Sequence, residues 1–274
     1  MRLWITHRTN YRYSADVSEA HMELRLRPAG VEGQRIHAYD LDVWPQTTVR
    51  GYVDGFGNHV QYFNLLAAHP ALEVFSRVQV ETGDAPRPEP LDLAPLDLLL
   101  FRAPVLDTAG VRRLGRRARL RDPASPEQVL EALDRTVGTI AGALTYATDV
   151  TTVSTDVEEA LKLGRGVCQD FAHVFIAVAR AIGVPCRYVS GYVYEGDGEP
   201  FTGASHAWAE AWVPERGWTA YDPTHPGLSP EHYVRLAVGR DYRDAAPTRG
   251  VFMGSAESVM EATVEIRTTG TGPT

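Results

Sequence analysis

The sequence predicts an α+β protein: an N-terminal antiparallel part, sandwich-like or curled, then a helical stretch, then a second antiparallel sheet. Three observations carry this. Residues 1 to about 82 hold short alternating runs separated by turn signals. Residues 168 to 183 are apolar on every side over about four helical turns, which marks a buried central helix. Residues 186–194, 205–213 and 218–221 are rich in β-branched and aromatic side chains, as strands are.

In chain order, strands are expected at 3–13, 23–27, 36–44, 52–53, 60–63 and 72–80. Glu23 to Arg27 alternates strictly before Pro28 stops it, and D-G-F-G-N at 54–58 has hairpin chemistry. His7, His21, His37, His59 and His69 show no ligand spacing and read as structural. Pro86, Pro88, Pro90 and Pro95 stiffen a connection that divides the chain into residues 1–95 and 96–274. Arg112, Arg113, Arg116, Arg117, Arg119 and Arg121 read as one solvated helix face or, alternatively, a dock for an acidic partner. Ser125-Pro126-Glu127-Gln128 opens a helix with a capping box, and Thr155 with Glu158 repeats that pattern before a short helix ended by Gly164. The Cys168 helix follows at once and stops at Gly183 and Pro185.

Composition narrows the function. The 274 residues, 44% hydrophobic, suffice for one large core or two modest ones. A formal charge of −8 argues against nucleic-acid binding and against adhesion to anionic membranes. Two cysteines are too few for a disulfide framework, and an intervening helix would hold Cys168 and Cys186 on the order of 25 Å apart, too far to pair. No signal peptide or membrane-length run is present, so a cytoplasmic location is expected.

The chemistry centres on Cys168. A cysteine alone is more often a small buried core residue than a nucleophile. Here it opens a helix, where unpaired N–H groups and the positive dipole end favour thiolate. A thiolate needs a base to carry its proton, and that base needs an acceptor on its other nitrogen. His206 and Asp222 lie sixteen residues apart on strands joined by P-E-R-G. A hairpin centred on Pro214 sets them directly opposite on one face. A four-residue turn at 214–217 would turn Asp222 away, so an odd-length loop or a bulge is required. Zinc held by Cys168, His206, Asp222 and His225 is the rival use of these residues, but none of the paired spacings typical of such sites is present; no metal and no cofactor is expected.

The blocks G-V-C-Q-D-F-A-H (166–173), G-V-P-C-R-Y-V-S-G-Y (183–192), S-H-A-W-A-E-A-W (205–212) and G-W-T-A-Y-D-P-T (217–224) fall in an order that resembles the transglutaminase-like superfamily, in its bacterial form with a β-rich N-terminal region. T-H-R-T-N-Y-R-Y at the N-terminus, G-R-D-Y at 239–242 and A-P-T-R-G at 246–250 resemble that group's accessory parts. The resemblance implies a papain-like core with Cys168 as nucleophile, His206 as general base and acid, and Asp222 as the residue orienting the histidine. It implies acyl transfer on a peptide or protein substrate through a thioester. Hydrolysis is the favoured outcome; cross-linking to an amine and a non-catalytic peptide-binding module are the alternatives. The Cys168 N–H is the first oxyanion donor, with Tyr146 and Trp208 considered for the second. Cys186, where relatives more often carry a small residue, is expected to pack beside its strand.

Overall fold

The computed structural model describes residues 1–31, 33–83, 95–120, 124–196 and 205–268. The proline-rich connection and Arg121 fall outside that range. The chain opens with β1 (Arg2–Leu24), β2 (Gln34–Trp44), β3 (Arg50–Val53), β4 (His59–Leu65) and β5 (His69–Thr82). The expected strand 3–13 and the first two residues of the one expected at 23–27 are joined in the single long β1, because the residues between them also find partners; β1 ends at Leu24, and residues 25–27 are not strand. Its register against β5 breaks between Arg12 and Val17. Up to Arg12, and again at Val17, β1 pairs with β5; from Ala20 to Leu24 it pairs with β4. The two halves fold over a common core that includes Leu24, Phe63, Leu72 and Val74, which gives the sandwich-like form.

Next come α1 (Ala109–Gly115), α2 (Pro126–Ala141), β6 (Thr145–Tyr146), α3 (Val157–Leu163), β7 (Arg165–Gly166) and α4 (Cys168–Ala181). The basic run is a solvated surface: Arg112, Arg113, Arg116, Arg117 and Arg119 are exposed, and Arg112 grips Asp107 at 2.7 and 2.8 Å. The Ser125–Gln128 capping box forms in both directions. The start of α3 is displaced by one residue from expectation. Asp156, not Thr155, accepts the Glu158 and Glu159 N–H groups at 2.9 Å, because a carboxylate caps more strongly than a hydroxyl. Thr155 accepts from the Thr152 N–H instead.

The second sheet comprises β8 (Cys186–Val193), β9 (His206–Val213), β10 (Gly217–Tyr221) and β11 (Tyr233–Gly239), antiparallel in the order β10-β9-β8-β11. α4 packs on it with every residue from Gln169 to Arg180 buried, as its all-round apolar pattern requires. Arg180 is tolerated inside because its guanidinium donates to the carbonyls of Leu100, Cys186 and Arg240 at 2.8–3.3 Å.

After α5 (Tyr242–Ala245) the chain leaves this half. β12 (Thr248–Met253) and β13 (Ser258–Thr268), which the division at 95/96 assigns to the second part, hydrogen-bond to β1 and extend the first sheet. The signal for β13 is the alternation of Met260, Ala262, Val264 and Ile266 with Glu261, Thr263, Glu265 and Arg267. Among the described residues no helix is long and apolar enough to cross a membrane.

Candidate active site

Cys168 stands half-buried as the first residue of α4. The turn before it is built for this. Gly164 ends α3 with φ +63, a left-handed conformation suited to glycine. Asp170 then reaches back to accept the Val167 N–H at 2.8 Å and the Thr151 hydroxyl at 2.7 Å. Gly166 allows this approach, since a Cβ there would lie 2.5 Å from the Asp170 carboxylate. The short parallel pairing of β6 with β7 sets Tyr146 beside Gly166, two residues before Cys168. The Tyr146 pKa is raised, by burial first and then by its electrostatic interaction with Cys168.

His206 begins β9, and Asp222 follows the last residue of β10. The intervening loop, 214–216, has three residues, the odd length that the pairing demands. Glu215 at φ +63 and Gly217 at φ +73 complete the turn. Tyr221 opposes Ala209, so one further step sets Asp222 opposite Trp208 and His206 opposite Thr224. His206 and Asp222 therefore share a face diagonally rather than directly opposite, the turn being centred one residue later than Pro214. The diagonal is short enough: His206 Nε2 donates to Asp222 Oδ2 at 2.7 Å, leaving Nδ1 for the thiol. Both side chains are buried, 7% and 5% exposed.

The electrostatics follow. Burial pushes the His206 pKa down, but hydrogen bonds and charges from Asp222 and Cys168 outweigh it and carry it up to about 9. Burial opposes ionisation of Asp222, yet its donors hold the carboxyl well below the usual carboxylate range. Beyond His206 they are the Tyr233 hydroxyl at 3.0 Å, His225 Nδ1 at 3.1 Å, and the Thr224 N–H and hydroxyl at 2.9 and 2.6 Å. His225 bonds Glu195 through its other nitrogen at 2.8 Å. Tyr233 and Thr224, and His225 in this role, were not assigned from the sequence. D-P-T-H was the available signal for two of them, as a side chain followed closely by donors turns back on itself.

His206, Asp222 and His225 place donor atoms within 4.8 Å of one another, close enough to hold a metal ion, but here they are hydrogen-bonded to each other. Cys168 is not among this trio. Trp208 stacks on the His206 ring with centroids 6.1 Å apart and meets Tyr233 edge-on, so it serves as a wall. A cavity of about 410 Å³ opens beside Asp222 and His225, lined by Trp208, Tyr221, Tyr233, Leu228 and Asp134 among others. Two residues that share these blocks are spectators. His173 is fully buried against Tyr188, and burial pushes its pKa down to about 3. Cys186 is buried in the core, and its thiol is pushed up to about 12.

Residues 117–223 match the model of the transglutaminase-like superfamily, and residues 3–81 match that of the bacterial transglutaminase-like N-terminal region. An uncharacterized protein of Mycobacterium leprae is 32% identical over 97% of this chain and 98% of its own length. A protein-glutamine gamma-glutamyltransferase of Pseudomonas aeruginosa is 38% identical, over 30% of this chain and 14% of that protein. The crystal structure of a Cytophaga hutchinsonii protein proposed to be a cysteine protease superposes with a TM-score of 0.77 at 22% identity, covering 100% of this chain and 92% of that one. At that identity the likeness concerns the fold.

Proposed function

Because the chain belongs to the transglutaminase-like superfamily, in its bacterial form with a β-rich N-terminal region, we propose that it is a thiol acyl-transfer enzyme acting on amide bonds of peptides or proteins. The observation that carries this is one imidazole held by two partners: Nε2 on buried Asp222 at 2.7 Å, with the Cys168 thiol also raising its pKa. In the proposed reaction the Cys168 thiolate attacks the carbonyl carbon, and the carbon–oxygen double bond opens to an oxyanion. The backbone N–H of Cys168, unpaired within its helix, faces that charge. Of the two candidates for the second donor, Tyr146 interacts electrostatically with Cys168, whereas Trp208 is packed on the histidine ring. The carbon–nitrogen bond then breaks as the His206 imidazolium protonates the departing amine, leaving a thioester. His206 next removes a proton from water, whose oxygen attacks the thioester and releases acid and thiolate.

Water is the favoured acceptor because the thiol is only half-buried and Tyr146 beside it is 53% exposed, while transfer to an amine requires water to be kept out. The test is incubation with a mixed peptide pool, with and without an excess of a fluorescent primary amine, followed by mass spectrometry. Shortened or deamidated peptides, little amine incorporation and silence of Cys168→Ser are the expected results. Efficient amine incorporation would make the protein a cross-linker, and peptide retention with no covalent change would make it a binding module.

A further inference from the structure

We propose that the N-terminal sheet takes part in catalysis: Gln34 and the Asp54–Asn58 loop are positioning residues for Asp222, acting through β11 and Tyr233. This inference rests on the reading of Cys168, His206 and Asp222 as an acyl-transfer site.

Among the described residues β11 is the edge of the second sheet, with β8 on one side and no strand on the other. Its outward peptide groups need partners. A register shift between Arg235 and Ala237 inserts one residue, so outward groups fall three residues apart, at Arg235 and Val238. Each is taken by one side-chain amide, in both directions. Gln34 accepts the Arg235 N–H at 2.7 Å and donates to the Arg235 carbonyl at 2.9 Å. Asn58 accepts the Val238 N–H at 2.8 Å and donates to the Val238 carbonyl at 2.8 Å. An amide offers the same donor and acceptor pair as a peptide group, so the two stand in for a neighbouring strand.

Asn58 is preset for this task. Asp54 accepts its side-chain and backbone N–H groups, both at 3.0 Å, and Gly57 turns the loop at φ +82. From the same loop Phe56 packs against the cluster of Val189, Trp208 and Val238. The strand so gripped begins with Tyr233, whose hydroxyl donates to Asp222, and the cluster contains the ring that stacks on His206.

The test is a double-mutant cycle on the full chain. The second-order rate of Cys168 alkylation by iodoacetamide is measured against pH for wild type, Asn58→Ala, Tyr233→Phe and the double variant. Each single change should slow the plateau rate about fivefold and shift the pH midpoint, and the double variant should be no slower than Tyr233→Phe. Gln34→Ala, which releases the same strand at its other grip, serves if Asn58→Ala does not fold. Effects that multiply to about 25-fold, or a lowered melting temperature with wild-type rate and midpoint, would overturn the inference. Failure of the underlying reading shows instead in the wild type, as equal labelling of Cys168 and Cys186.

Discussion

Asp222 is the residue on which the site converges. It accepts from two imidazoles, a phenol, a hydroxyl and a backbone N–H, so its charge is fixed in place before any substrate arrives. In the proposed reaction its work is to hold the Nε2–H tautomer of His206 and to stabilise the imidazolium. Asp222→Asn keeps the shape but offers an amide whose N–H₂ opposes that tautomer. Its kcat/KM on an amide substrate should fall on the order of 10³- to 10⁴-fold with little change in KM. A loss under tenfold would show that Asp222 is a structural cap. That Cys168 opens a helix, His206 lies on a strand and Asp222 follows a strand end could be read from the sequence, because these are local signals. Tyr233 could not, since it reaches the carboxylate from the opposite edge of the sheet, a contact set by tertiary packing.

Among the elements, α4 was the most legible, because a segment apolar all round has one place to go. The hairpin was half legible. Parity required an odd loop, but the centre of the turn depends on the backbone conformations of Glu215 and Gly217, which composition does not reveal. The pairing of β12 and β13 with β1 joins residues some 240 positions apart, and alternation alone identifies a strand without naming its neighbour. The helix start carrying Cys168 has its own weak point in Gly166. Gly166→Ala should displace the Asp170 carboxylate, lose the cap on Val167 and cost about 1 kcal/mol or more. It should also slow Cys168 alkylation more than it lowers the denaturant midpoint. Unchanged alkylation would separate the cap from the thiol's placement.

Across the whole molecule, histidines in opposite environments shape stability against pH. His7, bonded to the Tyr192 hydroxyl at 2.9 Å between the two sheets, is pushed by burial down to about 4, and His173 to about 3. Both are neutral when folded, and both take up a proton below about 6.5 when unfolded. Their contribution is present above that value and is lost as pH falls from about 6.5 toward 4, at about 1.4 kcal/mol per pH unit each. His206 has the opposite sign: its raised pKa contributes stability below about 6.5 that is lost as pH rises through about 9. Urea titrations should therefore peak near pH 6.5 and fall on both sides. His7→Gln should flatten only the acid side, and an acid limb equally steep in that variant would show that other groups set it.

The proposed chemistry requires a thiolate–imidazolium pair at Cys168 and His206, which brief iodoacetamide labelling at pH 6 with peptide mapping would reveal. Wild type should label at Cys168 well before Cys186, and His206→Ala should lose most of that preference. Slow, equal labelling of both cysteines in both proteins would show that no such pair forms.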